Sequence, residues 1–175
     1  MKKLFFASLF LVVISSCKEK EDNDDKNEKK SDVMLPLDVM YKGTPSIGKT
    51  ENMVTVMNWN NNMIKGDVTA AGSLIADSLT VNLADGMHVD LAHDSAIAFL
   101  KGWISSMDSA SQTYNAIIPV DNKTAGDEWV IQWTHETYYY KNGKTEDVRL
   151  NESYRLVNGK IRQVNQYAQA IPAKK

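Results

Sequence analysis

Two residues in the C-terminal third invite acid–base chemistry. Glu152 and His135 lie within Glu128 to Leu156, where polar and apolar residues alternate on both sides of Asn142-Gly143. Asn-Gly favours a two-residue type I′ hairpin turn, because both positions tolerate positive φ. Setting Lys141 opposite Lys144 pairs Trp133 with Glu152, His135 with Leu150, Ile131 with Tyr154 and Thr137 with Val148. The other face pairs Glu136 with Arg149, Thr134 with Asn151 and Gln132 with Ser153. One face is then mostly apolar and aromatic, the other polar with a cross-strand ion pair, and a slip of one residue would scramble both. In this register Glu152 lies beside the Trp133 indole with His135 on the diagonal. Desolvation by the indole would raise the carboxyl pKa toward neutrality, the tuning a general acid or base needs. His135 would orient it or share its proton. Read structurally, the two are simply a buried pair that satisfies itself.

Other constellations carry less. His88, Asp90 and His93 fall within six residues, but without helical i, i+4 spacing or an obvious fourth ligand, so no metal site is expected. No Gly-rich phosphate loop, nucleophile elbow or HExxH motif occurs, and no cofactor is implied. The formal charge of −2 and the few arginines (Arg149, Arg155, Arg162) speak against a nucleic-acid partner. The single Cys excludes a disulfide scaffold and a Cys-based zinc site.

The elements that must position Glu152 can be read from periodicity. Helical spacing links Met53, Val56, Met57, Met63 and Ile64, with Asn60 in the same core-facing stripe. Gly66 ends this helix, and Asp67 caps a short second one carrying Ala70, Ala71, Leu74 and Ile75. Leu79–Leu83 and Met87–Leu91 form two short strands around Ala84-Asp85-Gly86. Asp94 or Ser95 caps a third helix with inner residues Ile97, Leu100, Trp103 or Ile104, and Met107. The period then becomes two: Tyr114, Ala116, Ile118 and Val120 share a face, and Pro119 suggests an edge or a bulge. Asn158-Gly159 begins a second hairpin into Ile161–Gln169. The three-residue spacing of Ile161, Val164 and Tyr167 requires a bulge there.

The N-terminus is an address. Lys2 and Lys3 precede an apolar run, Leu4 to Ile14, too short for a bilayer core ~30 Å thick. Ile14-Ser15-Ser16-Cys17 resembles the lipobox of bacterial lipoproteins, which implies cleavage before Cys17 and lipidation of its thiol. In residues 18–32, twelve of fifteen are charged and none is apolar, so the segment cannot bury surface to offset its chain entropy. It reads as a disordered tether, either a plain periplasmic one or, from its acidic cluster, one resembling the export signals of Bacteroidetes-type surface lipoproteins. The expected organisation is a signal peptide (1–16), lipidated Cys17 and tether (17–32), a lead-in arm (33–48) and one folded domain (49–175), held at the outer membrane on the periplasmic side or the cell surface.

From about residue 49 to 170 the chain resembles the NTF2-like superfamily, in its SnoaL-like or ketosteroid-isomerase-like branch. The carriers are Val56, Trp59 and Ile64; Gly66-Asp67; Ile75-Ala76-Asp77-Ser78-Leu79-Thr80-Val81; Phe99-Leu100 with Trp103; and Glu152, Tyr154 and Arg155 leading to Asn158-Gly159-Lys160-Ile161. The resemblance implies an α+β cone, a curved antiparallel sheet wrapped around three helices, often dimeric through the sheet. Its pocket would hold a small-molecule ligand against Asn60, Trp59, Trp103, Tyr114, Trp133 and Tyr154, with Glu152 and His135 as candidate catalytic residues. Asn60 would supply a hydrogen-bond donor there, or serve only as a core hydrogen bond. The family's isomerases carry an acid on the strand after the second helix, where this chain has Val81-Asn82-Leu83-Ala84. That departure favours a non-catalytic pocket for an apolar or amphipathic molecule over an isomerase, lyase or cyclase using Glu152 and His135.

Overall fold

The computed structural model describes residues 45–171. The signal peptide, Cys17, the tether and most of the lead-in arm lie outside the described residues. The order is β1 (Ser46–Ile47), α1 (Thr50–Ile64), α2 (Val68–Gly72), β2 (Ile75–Asn82), β3 (His88–Ala92), α3 (His93–Ser105), β4 (Met107–Asn122), β5 (Asp127–Tyr140), β6 (Thr145–Val157) and β7 (Lys160–Ala170). The strands form one sheet in the order β1-β4-β5-β6-β7-β2-β3, antiparallel except where β2 runs parallel to β7. The helices cover one face and enclose a core centred on Val56, Leu79, Val130, Tyr154 and Ile161. This is the expected α+β cone, with a mixed sheet in place of a wholly antiparallel one.

Local signals place the helices. Gly66 takes φ +74 just past α1, and the Asp67 carboxylate accepts from the Ala70 N–H at 2.9 Å to cap α2. The start of α3 differs from expectation. Neither Asp94 nor Ser95 caps it, because β3 runs straight into the helix and Ala92 occupies the cap position without a side-chain bond. His93 instead anchors the first turn, donating from Nε2 to the Gly72 carbonyl at 3.1 Å.

The two Asn-Gly pairs form different turns, and this moves the main register. At Asn158-Gly159 both residues have positive φ (52° and 71°), and Val157 pairs with Lys160 across a two-residue loop. At Asn142-Gly143 only Gly143 is left-handed, with φ +81. Tyr140 N–H bonds the Lys144 carbonyl, Gly143 N–H bonds the Tyr140 carbonyl, and Lys144 N–H bonds Asn142 Oδ1, each at 2.9 Å. This is a three-residue loop with a glycine bulge. It slips β5 by one residue against β6, so Glu152 pairs with Gln132 and Trp133 with Asn151. The expected pairs Trp133–Glu152, His135–Leu150 and Glu136–Arg149 do not form.

Two of the sheet's register shifts bear on the site. The β4 register shifts between Tyr114 and Ala116, so Tyr114 shares the face of Thr134 while Ala116 and Ile118 lie opposite Trp133 and Ile131 on the other face. The single face expected for Tyr114, Ala116, Ile118 and Val120 is therefore broken. The bulge expected in β7 is present: Arg155 pairs with Gln163 and Leu156 with Ile161, which brings Ile161 and Val164 both into the core.

Candidate functional site

The slipped register inverts the expected faces of β5. Burial alternates along it so that Val130, Gln132, Thr134, Glu136 and Tyr138 point inward, while Trp133 is 39% exposed. On β6, Val148, Leu150, Glu152, Tyr154 and Leu156 point inward. Glu152 thus faces the helices as expected, but Trp133 and His135 lie on the outer face. The His135 imidazole engages Asp147 there, 2.5 Å from Nε2 to Oδ1. His135 and Trp133 are excluded from any site that contains Glu152.

A polar row crosses the inner face where Gln132, Glu152 and Gln166 lie side by side on β5, β6 and β7. Gln132 Nε2 donates to Glu152 Oε2 at 2.6 Å, and the Tyr154 hydroxyl donates to the same oxygen at 2.8 Å. Gln166 Nε2 donates to Oε1 at 3.0 Å. From α1, Asn60 Nδ2 donates at 2.9 Å to both Gln132 Oε1 and the Tyr114 hydroxyl. These bonds fix the Gln132 amide, because its oxygen is committed to Asn60. Glu152 Oε2 is saturated, and Oε1, held only by Gln166, is the oxygen able to exchange a proton.

A second carboxylate shares this face. Glu136 Oε1 accepts from Gln112 at 2.6 Å and Thr134 at 2.9 Å, and Oε2 accepts from the Tyr138 hydroxyl. Glu152 and Glu136 are 6% and 7% exposed. Burial, and then the negative charge of Glu136, push the Glu152 carboxyl up to about 7; bonds from Gln166, Tyr154 and Gln132 oppose the rise only in part. Burial likewise raises the Tyr154 and Tyr138 hydroxyls well above their ordinary values.

Both carboxyls line a cavity of about 340 Å3 between the sheet and the helices. Its walls are largely apolar: Trp59 and Met63 from α1, Leu100 and Trp103 from α3, Val148 and Leu150 from β6. Trp59 packs edge-on against Tyr154 at 5.7 Å, and Trp103 against Tyr138 at 5.8 Å. Among the predicted ligand residues, Asn60, Trp59, Trp103 and Tyr154 therefore line the cavity together with Glu152. Tyr114 stands behind them, bonded to Asn60, and Trp133 is outside.

A search of family models finds no match, and no curated protein matches. Solved structures do match, over about 70% of the chain. An LEH-like epoxide hydrolase of M. tuberculosis superposes with a TM-score of 0.58 at 12% identity, covering 69% of this chain and 84% of that one. AusH of Aspergillus nidulans gives 0.56 at 15%, covering 74% and 90%. An NTF2-like protein of unknown function from Burkholderia pseudomallei gives 0.57 at 16%, covering 69% and 92%.

The chain has the NTF2-like fold.

Within this NTF2-like cone, sequence reasoning missed Gln132, Glu136, Gln112 and Gln166. The expected register turns the first two to the outer polar face, and the one-residue slip of β5 brings them inward. The signal was the run Val130, Gln132, Thr134, Glu136, Tyr138: its ends are apolar or aromatic, and its polar centre matches Glu152 across the hairpin. Of His88, Asp90 and His93, the first two meet, 3.4 Å from Nε2 to Oδ2, and His93 does not join them. His88 Nδ1 lies 2.6 Å from Asn82 Oδ1, and His93 is spent on Gly72 and Asp94. Among the described residues no cluster of three or more His, Cys, Asp or Glu is placed to hold a metal ion, and no helix is long and apolar enough to cross a membrane.

Proposed function

We propose that this domain is an acid–base catalyst acting on a small, largely apolar molecule, with Glu152 carrying the proton. The observation that supports it is a carboxyl pushed up to about 7 on the wall of an apolar cavity, with one oxygen saturated and the other able to exchange. A group poised near neutral pH serves as acid and as base. Gln132 and Tyr154 orient it, and Asn60 orients Gln132. His135, on the outer face with Asp147, has no part in it. The epoxide hydrolase with the same fold is an analogy of scaffold and says nothing of this chain's substrate.

The non-catalytic binding pocket is the second reading. It is favoured by the oxygens of both carboxyls, each of which already has a donor within the protein, so that the floor can exist without a reaction. The deciding experiment is native mass spectrometry of protein purified from its own host, followed by incubation of any retained molecule with wild type and Glu152→Gln. Wild-type turnover that falls a hundredfold or more in the variant supports catalysis, the usual scale for losing a general acid or base. A retained molecule that neither protein converts replaces the catalyst with the binding module.

The address and assembly belong to the same proposal. A lipid on Cys17 holds the domain at the outer membrane, and membrane cofractionation that persists in Cys17→Ser would refute this. A homodimer would cover the outer sheet face, where Ile118, Trp133 and Tyr167 are exposed. Trp133→Glu should then shift the solution mass from two chains to one.

A further inference from the structure

The cavity floor has two buried carboxyls whose hydrogen-bond donors are all neutral: Gln112, Thr134 and Tyr138 for Glu136, and Gln132, Tyr154 and Gln166 for Glu152. Buried charges in proteins are ordinarily paired, because desolvation without a counter-ion is costly. Among the described residues no Lys, Arg or His lines this cavity, while Asp85 and Glu146 add two further acids to its lining. Glu146 is answered by Lys144, 3.1 Å away, but no described cation answers the floor. The remaining walls are aliphatic and aromatic, and aromatic faces such as Tyr138 and Trp103 attract cations as well as apolar groups.

We infer that the pocket selects an amphipathic amine, its protonated nitrogen on the Glu136–Glu152 floor and its apolar body against Trp103 and Leu150. This rests on the reading of the cavity as a ligand site and names the class of molecule it takes. An anionic head would meet the like charge of Glu136 on the floor. A neutral head would leave the acids without a counter-ion. An ammonium on this floor supplies a counter-charge to Glu136 and favours ionisation of Glu152.

The amine also changes where the proton sits. With its carboxyl pushed up to about 7 by burial and by Glu136, Glu152 is about half protonated at pH 7. The titratable groups around it are Glu136 and Tyr138 on β5, Tyr154 on β6 and Tyr114 on β4. Among the described residues the helices and β7 add no titratable group to the lining, their polar side chains there being Asn60, Gln166 and the indoles of Trp59 and Trp103. A cation arriving there favours the carboxylate, so binding at pH 7 drives a fraction of a proton into the buffer.

The test is isothermal titration calorimetry with three probes that share one indole body: tryptamine, tryptophol and indole-3-acetate. Tryptamine is expected to bind at least tenfold tighter than tryptophol, and indole-3-acetate not at all up to millimolar concentration. Tryptamine binding at pH 7 should release protons, read from its heat in two buffers of different ionisation enthalpy. Glu136→Gln should bring tryptamine and tryptophol to parity. Asp85→Asn, in an exposed turn where folding is not at issue, should weaken tryptamine a fewfold at low salt only. Tryptophol binding as tightly as tryptamine overturns the amine and leaves the acid–base reading of the cavity intact. Failure of all three probes to bind overturns the amine too, and turnover of the retained molecule then decides the cavity's role separately.

Discussion

Replacing Glu152 by Gln isolates the proton held on the cavity floor. The change keeps the shape of the side chain. The new amide oxygen takes the place of Oε2 under Gln132 and Tyr154, and the new NH2 meets Gln166, whose amide can turn over to accept from it. What disappears is the titration. Glu152 has its folded-state pKa raised to about 7 from an ordinary 4.5. Below 4.5 both folded and unfolded chains hold the proton, and its contribution to stability is fully present. Between 4.5 and 7 the unfolded chain releases it and the folded chain does not, so stability falls with rising pH at about 1.4 kcal/mol per unit. Above 7 the contribution is gone, a total of about 3 kcal/mol, or roughly 10 °C in Tm for a domain of this size. Glu152→Gln escapes this loss. Thermal unfolding at pH 5, 6, 7 and 8 should show the variant gaining on wild type across the series and exceeding it at pH 8. Subtracting one profile from the other removes the titrating groups that do not interact with Glu152, leaving its own titration and that of its neighbour Glu136. Parallel profiles would mean that Glu152 is already ionised in the folded protein, and the acid–base reading would go with it.

Three further substitutions probe the supports of the site. Asn60→Leu removes the donor that fixes Gln132 and leaves the buried Gln132 Oε1 without a partner; unfolding should show a loss of about 1–3 kcal/mol and a weaker pH dependence in the Glu152 window. Asp127→Asn weakens the buried carboxylate that Arg155 grips with Nε at 2.8 Å and Nη2 at 2.7 Å; a loss of about 1–3 kcal/mol in urea unfolding is expected, greatest at low salt. Gly72→Ala would place a Cβ 2.8 Å from Ile97 Cδ1 and Cγ1, forcing α2 and α3 apart; a Tm drop matching about 1–3 kcal/mol should appear with the fold retained by circular dichroism.

What could be read in the sequence was local. Gly66 and Asp67 mark the break between α1 and α2 because one needs positive φ and the other supplies a cap, both within a few residues. Ile161 and Val164 betray the β7 bulge because a flat strand cannot turn both to one face. The site was hidden by a longer-range fact. Asn-Gly suits both a two-residue and a three-residue loop, and the difference of one residue decides whether Trp133 and His135 or Gln132 and Glu136 face the helices. Glu152 survived the error because its own strand did not slip; only the partner strand did. The parallel contact of β2 with β7 and the two-residue strand β1 left no periodic signal, since neither arises from neighbours along the chain.

That parallel contact sets the order in which the molecule can be completed. β2 meets β7 at Ile161 and Asn165, and Asn82 bonds Asn165 across a separation of 83 residues. β7 is the one strand that joins the β2–β3 ribbon to the rest of the sheet. A chain emerging from its N-terminus can form α1, α2 and the β2–β3 hairpin early, but their apolar faces stay uncovered until the last strand is made. Closing so long a loop slows folding, and an exposed hairpin edge invites mispairing in the interval. A chain cut after Val157 should therefore lose the whole domain rather than one strand of it, and a chain held unfolded until its full length is available should fold with the better yield.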